Sequence, residues 1–169
     1  KLGLDYIDLY LIHWPKPNSS ETWRALEHLY EQGKVKAIGV SNFMINHLED
    51  LLKTAKIIPM INQVEFHPYL QQNDFVEFCK KNKLLYETWS PIMRGEVSKI
   101  DLLKEIGNKY HKSPFQVVIR WNLQRGIVVI PKSVTKNRII ENADIFDFEL
   151  TPEEMHGINS LDKSKRIGP

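Results

Sequence analysis

Residues 127–142 read I-V-V-I-P-K-S-V-T-K-N-R-I-I-E-N. Four branched apolar residues, Ile127 to Ile130, make a run that reads as a short strand buried on both faces. Pro131 ends it, and Lys132, Ser133, Val134 and Thr135 form a turn. A helical pattern opens after them, with Arg138, Glu141 and Asn142 in its first turns. Hydroxyls, a lysine and free helix N–H groups at the end of a buried strand suit an anionic phosphate. The planar fork of Arg138 suits a second one. The same order of strand, Ser/Thr turn and capped helix also describes an ordinary strand–helix unit, so both readings stand on this stretch alone.

Outward from this stretch the chain repeats the same alternation. Strands are expected at residues 6–12, 35–40, 59–66, 84–89 and 127–130. Helices are expected at 21–32 (capped by Ser19 or Ser20), 45–55, 73–82 (capped by Asn73), 100–111, 114–124 and from about 136. Ser113-Pro114 is a helix start, and Thr151-Pro152-Glu153-Glu154 opens a last helix to about Ser160 with a capping box. Residues 92–99 read as a loop, and residues 1–3 as a helix end with its terminating glycine. Alternating strands and helices mean parallel strands with crossover helices. No Gly-x-Gly-x-x-Gly follows the first strand, which leaves a barrel of strand–helix units as the expected α/β architecture. A closed (β/α)8 barrel needs about 250 residues. Five strands in 169 residues are therefore expected to be one domain that supplies part of such a barrel.

Composition narrows the function. A 42% hydrophobic and 26% charged chain is ordinary for a globular domain, and a formal charge of +2 gives no field for nucleic acid or an anionic membrane. The single cysteine, Cys79, allows no internal disulfide and fits a cytoplasmic setting; its place on an apolar helix side reads as an inert buried thiol. Neither an export signal nor a membrane span is expected. The six histidines show no metal-ligand spacing, and a serine hydrolase reading lacks its nucleophile elbow.

In barrels of this kind the active face lies at the C-terminal ends of the strands. Each expected strand delivers polar or stacking side chains to that end: His13-Trp14, Ser41-Asn42, Asn62-Gln63-Glu65, Trp89-Ser90 and Lys132-Ser133. Singly they have bland readings: His13 as a structural histidine, Asn42 as an N-cap. Gln63 inside a strand needs partners for its amide. Five converging ends point to a ligand site.

The motifs D-Y-I-D-L-Y-L-I-H-W-P, G-V-S-N-F, N-Q-V-E-F-H-P-Y-L-Q-Q, W-S-P, I-P-K-S-V-T-K-N-R-I-I-E-N and F-D-F-E-L-T-P-E-E-M resemble, in order, those of the aldo-keto reductases. The resemblance covers nearly the whole chain and is nearest to the bacterial glyoxal, methylglyoxal and 2,5-diketo-gluconate reductases. It implies a (β/α)8 TIM barrel, of which this chain would supply about strands 4–8. The implied activity is NADPH-dependent reduction of aldehydes and ketones, on a small-molecule carbonyl substrate, by a barrel that is monomeric when complete. On this resemblance His13 is the histidine that orients the substrate carbonyl and Trp14 lines the substrate pocket. Ser41, Asn42 and Gln63 hold the nicotinamide carboxamide. Trp89 stands where the family usually has a tyrosine stacked on the nicotinamide ring. Ser90, Met93 and Arg94 match the loop over the pyrophosphate. Lys132, Ser133, Thr135 and Arg138 surround the 2′-phosphate, and Glu141 and Asn142 meet the adenine.

The sequence also departs from the family. The family's proton-donating tyrosine and its partner lysine and aspartate belong to a region before the one matched here, and Tyr6, Tyr10 and Tyr69 do not stand in that context. Three readings follow: a reductase of which this is the C-terminal portion, a barrel that binds NADPH without turnover or an inactive fragment, and a structural protein that binds no cofactor.

Overall fold

The computed structural model describes residues 3–168; the helix end expected at residues 1–3 lies largely outside them. The described residues form five strands and seven α-helices, with two helices following each of β4 and β5: β1 Ile7–Ile12, α1 Ser19–Glu31, β2 Val35–Ser41, α2 Ile45–Leu52, β3 Ile61–Glu65, α3 Asn73–Lys81, β4 Leu85–Trp89, α4 Asp101–Tyr110, α5 Pro114–Gln124, β5 Val128–Val129, α6 Lys136–Ala143 and α7 Pro152–Asn159. The strands join one sheet in chain order, and the pairs with defined register are parallel. The chain divides into two compact units. The first runs to Val64 and includes Asn73–Tyr86; the second is Glu65–Gln72 with the chain from Glu87 onward.

In the first unit β2 is the buried centre, with Val35, Ile38 and Val40 all enclosed. Gly39 sits there because a Cβ would lie 2.5 Å from Ile61 Cγ2 and 2.6 Å from the Ile61 carbonyl oxygen. Helix α1 turns Trp23 and Leu26 inward at helical spacing. Trp23 Nε1 donates to the Ile57 carbonyl at 3.0 Å, and the buried Glu27 Oε1 accepts from the N–H groups of Lys56 and Ile57 at 2.7 and 2.8 Å. Phe75 and Tyr86 meet edge to face at 5.6 Å. Cys79 is fully buried, and burial pushes its thiol up to about 12.

The second unit is built on α4, α5 and α7. Phe66 stacks on the fully buried Trp121 at 5.3 Å, with the Arg125 guanidinium over both rings. Trp121 Nε1 donates to Asn159 Oδ1 at 2.9 Å. Lys112 joins Asp144 and Asp147 at 2.9 and 2.8 Å. Helices α5 and α7 start where expected, each with proline at the helix start; Thr151 and Glu154 form the expected capping box, and Ser113 and Gln116 form another.

Several expectations need correction. Strand β1 is not buried: Asp8, Leu9 and Tyr10 are exposed. Strand β5 is two residues long, and Val128 and Ile130 are exposed. Both are end strands of the sheet formed by the described residues, each with one hydrogen-bonded neighbour among them. Neither Ser19 nor Ser20 caps α1; Asn18 precedes the helix, and Ser19 Oγ instead exchanges bonds with the Lys16 backbone. Asn73 lies inside α3 rather than before it. Asn42 is not the cap of α2; Met44 precedes that helix, and its N–H donates to His47 Nδ1 at 3.1 Å. Residues 92–99 are not an open loop but two short 3-10 turns, Met93–Lys99, joined across a kink where Arg94 and Gly95 have φ of 53° and 101°.

Candidate active site

The second unit holds a cavity of about 790 Å³ at the C-terminal ends of β4 and β5. Trp89 and Ser90 enter it from the end of β4, and Arg94 from the turn that follows. Lys132 and Ser133 enter from the segment after β5, and Arg138, Glu141 and Asn142 from α6. Eight residues read from the sequence as cofactor contacts are thus brought to one wall system. The cavity presents three cationic side chains, Arg94, Lys132 and Arg138, against one carboxylate, Glu141. That carboxylate is already engaged, since Glu141 Oε1 accepts from Ser113 Oγ at 2.5 Å. Ser133 Oγ is buried and has no hydrogen-bond partner among the described residues. A buried hydroxyl in that state costs free energy unless something arrives to satisfy it. An anionic group between Lys132 and Arg138 has the chemistry to do so.

The wall over the cavity is backbone-strained. Ser90, Met93 and Arg94 have φ of 55°, 53° and 53°, in the left-handed region that non-glycine residues avoid. Two sequence-read residues do not join the cavity. The Met93 side chain points into the core and is 1% exposed, because this left-handed turn directs it inward. Thr135 is the exposed residue preceding α6, without a side-chain capping bond.

Sequence reasoning missed Phe115, Ile92, Ser98 and Ile130, which also line the cavity. Phe115 directly follows the Ser113-Pro114 cap, which places it at the open end of α5. An apolar residue in a helix reads as core by default, so spacing alone carries no signal for it.

In the first unit the ends of β1, β2 and β3 form a hydrogen-bonded cluster. Ser41 pairs in register with Gln63. Ser41 Oγ donates to the Gln63 carbonyl at 2.8 Å, and the Asn42 N–H donates to the same oxygen at 2.9 Å. Asn42 Nδ2 donates to the His13 carbonyl at 2.9 Å and to Ser41 Oγ at 3.1 Å. Asn42 has φ of 62°, a conformation its short polar side chain tolerates better than most. Gln63 is half-buried rather than enclosed. His13 and Trp14 are both exposed, with ring centroids 5.9 Å apart.

Two of the polar strand-end residues make structural bonds, although the buried Asn62 Oδ1 itself has no hydrogen-bond partner among the described residues. Asn62 Nδ2 donates to the Phe43 carbonyl at 2.8 Å. Glu65 is fully buried in the second unit, where Oε1 accepts from the Ile167 and Gly168 N–H groups, both at 2.7 Å, and from His67 Nε2 at 3.2 Å. Burial alone would raise the Glu65 carboxyl, but the two backbone donors and His67 hold it below its ordinary value. Burial pushes His67 the other way for a base, below the usual imidazole value, so it stays neutral beside Glu65. Among the described residues no group of three or more His, Cys, Asp or Glu could hold a metal ion, and no helix is long and apolar enough to cross a membrane.

The same architecture recurs in known proteins. Residues 1–163 match the family model described as the aldo/keto reductase family. The chain is 56% identical over 170 residues to the glyoxal reductase of Bacillus subtilis, covering 100% of this chain and 62% of that protein. Among solved structures, the aldo-keto reductase MGS-M4 from a deep-sea metagenome superposes with a TM-score of 0.97 at 49% identity, over 99% of this chain and 64% of that one. A mutant of Gox0644, solved in complex with NADPH, superposes with a TM-score of 0.94 at 44% identity, over 98% and 62%. The chain therefore spans less than two thirds of the length of each of these relatives. Motif order, strand-end chemistry, fold and these matches agree: the chain belongs to the aldo/keto reductase family.

Proposed function

We propose that this chain is the cofactor-binding portion of an NADPH-dependent reductase of small aldehydes and ketones, with its five strands corresponding to strands 4–8 of a (β/α)8 barrel. The observation that carries this reading is the buried, unpartnered Ser133 Oγ in a cavity that also presents Lys132 and Arg138. Those three groups fit a dianionic 2′-phosphate, with the two cations balancing its charge and the hydroxyl donating to it. Glu141 and Asn142 offer polar edges to the adenine, and Ser90 and Arg94 face the pyrophosphate. Trp89 offers its ring to the nicotinamide. By the family resemblance, Ser41, Asn42 and Gln63 of the first unit are assigned to a nicotinamide carboxamide, and their mutual bonds keep them rigid. His13 is assigned to the carbonyl oxygen of the substrate, where a neutral imidazole donates one hydrogen bond and sets orientation. Trp14 forms an apolar wall beside it. When bound, NADPH would supply the hydride, and the residues that hold the nicotinamide and the carbonyl would set their relative orientation. The name of the Bacillus relative makes glyoxal and similar small dicarbonyls the first substrates to try.

The test is calorimetric titration with 2′,5′-ADP, NADPH and NADH, followed by a turnover assay with glyoxal. Binding of 2′,5′-ADP and a preference for NADPH are expected. Absence of 2′,5′-ADP binding, or equal affinity for NADH, would overturn the cofactor assignment. Binding without turnover by the complete protein, with the family's tyrosine, lysine and aspartate present, would replace the reductase with a cofactor-binding module.

A further inference from the structure

Gly168 occupies a position whose backbone does not require glycine. It is not among the residues with positive φ, unlike Gly3, Gly33, Gly95 and Gly126. Space is what demands it. A Cβ at Gly168 would overlap Cη2 of the Trp89 indole and lie 2.7 Å from its Cζ3. These are the far atoms of the second ring, the part that a tyrosine at this position would not have in the same place. The absent side chain of Gly168 is therefore the slot into which the indole edge fits.

Gly168 is itself held from below. Glu65 is 0% exposed, and its Oε1 accepts the N–H groups of both Ile167 and Gly168 at 2.7 Å. Arg166 Nη1 reaches Glu65 Oε2 at 3.5 Å. Further back, Lys163 and Lys165 both donate their N–H groups to the Tyr69 carbonyl, at 3.1 and 2.9 Å. Residues 163–168 are thus strapped along residues 65–69, ending against the tryptophan. Neither Glu65 nor Gly168 lines the cavity, whereas Trp89 does.

We infer that Glu65 and Gly168 are positioning residues for Trp89: the carboxylate fixes the backbone of residues 167–168, and the bare Cα of Gly168 sets how far and at what tilt the indole enters the cavity wall. The aromatic ring they position is the surface offered to the flat ring of a dinucleotide, so the inference rests on the cofactor assignment above. Its consequence is selective. Displacing the indole weakens a ligand that stacks on it and spares one that occupies only the phosphate-binding side, around Lys132 and Arg138.

The experiment compares the unaltered protein with Gly168→Ala, Trp89→Phe, the double variant and Glu65→Gln. Each is titrated with NADPH and with 2′,5′-ADP, and tryptophan emission is recorded. Gly168→Ala is expected to weaken NADPH about three- to tenfold, the value of one aromatic stacking contact, and to leave 2′,5′-ADP within about twofold. Its emission maximum is expected to shift, and the shift to vanish in the Trp89→Phe background. In that background the shorter ring leaves room for a Cβ, so Gly168→Ala should cost no more than about twofold further. Glu65→Gln, whose amide oxygen still accepts but without charge, is expected to weaken NADPH in the same selective way by a smaller factor. Undiminished NADPH affinity with unshifted emission in Gly168→Ala would overturn the inference, as would an equal loss in the Trp89→Phe background or an equal loss for 2′,5′-ADP. Unchanged NADPH affinity in Glu65→Gln would remove the carboxylate from it. Failure of the unaltered protein to bind 2′,5′-ADP would instead overturn the cofactor assignment, and the emission comparison would still decide whether Gly168 positions the indole.

Discussion

Replacing Arg138 by methionine isolates the charge from the stem. Methionine keeps an apolar chain of similar reach, so packing along α6 is preserved while the guanidinium is lost. Arg138 is exposed and shares the cavity with Lys132 and the buried Ser133 hydroxyl. A charge-assisted hydrogen bond contributes about 1.5–3 kcal/mol. Exposure screens Arg138 and places it at the lower end, at about 1.5–2 kcal/mol. That converts to a roughly 10- to 30-fold rise in the NADPH dissociation constant. NADH lacks the 2′-phosphate and should lose almost nothing. The assay is paired titration with the two cofactors at about 0.1 M salt, repeated near 1 M, where the screening length falls to about 3 Å. The parent's NADPH advantage should shrink with salt, and that of Arg138→Met should shrink less. Equal losses for NADPH and NADH, or none for either, would refute the placement of the 2′-phosphate beside Arg138.

Two further outcomes concern stability. Gly39→Ala should destabilise the protein by about 3 kcal/mol in urea unfolding, because one of its clashes is with the Ile61 backbone oxygen. Trimming the side chain in a Gly39→Ala/Ile61→Ala double variant should not restore it, and a cost below about 1 kcal/mol would contradict the close strand approach. The Glu65–His67 pair sets the acid response. His67 is held below its ordinary 6.5, so the unfolded chain takes up a proton there that the folded one refuses. Glu65 is held below its ordinary 4.5, so its contribution is present above that value and is lost as pH falls through its lower folded value. The melting temperature should decline from about pH 6.5 downward and more steeply below 4.5, and His67→Gln should remove the first stage; a flat profile between pH 7 and 4 would exclude the pair as the cause.

The parts of the fold that were legible in the sequence are those whose signals are local. The start of α5 follows from Ser113-Pro114 and its end from Gly126, and the start of α7 from Thr151 and Glu154, each a signal local to one end of the helix. Burial of β1 and β5 was misread because an apolar strand looks the same at the edge of a sheet as in its middle. The inward direction of the Met93 side chain was not legible, because it depends on the left-handed backbone at residues 93 and 94, which no residue type there announces. Glu65 looked like a strand-end ligand group, but its partner Ile167 lies 102 residues away, beyond the reach of any local pattern. The grouping of Lys132, Ser133, Arg138, Glu141 and Asn142 was legible because all five lie within eleven residues of chain.

The buried thiol of Cys79 has a practical consequence for following this protein in solution. It is the only cysteine in the sequence, and burial holds its thiol so far above the ordinary range that little of it is ionised at neutral pH. Thiol-directed reagents attack the ionised form, so the folded protein is nearly silent toward them without any cysteine having to be removed. A cysteine placed at the exposed Val134, on the turn beside the cavity, would then be the one reactive site. A dye attached there would report ligand entry against a background that rises only when the first unit opens and exposes Cys79.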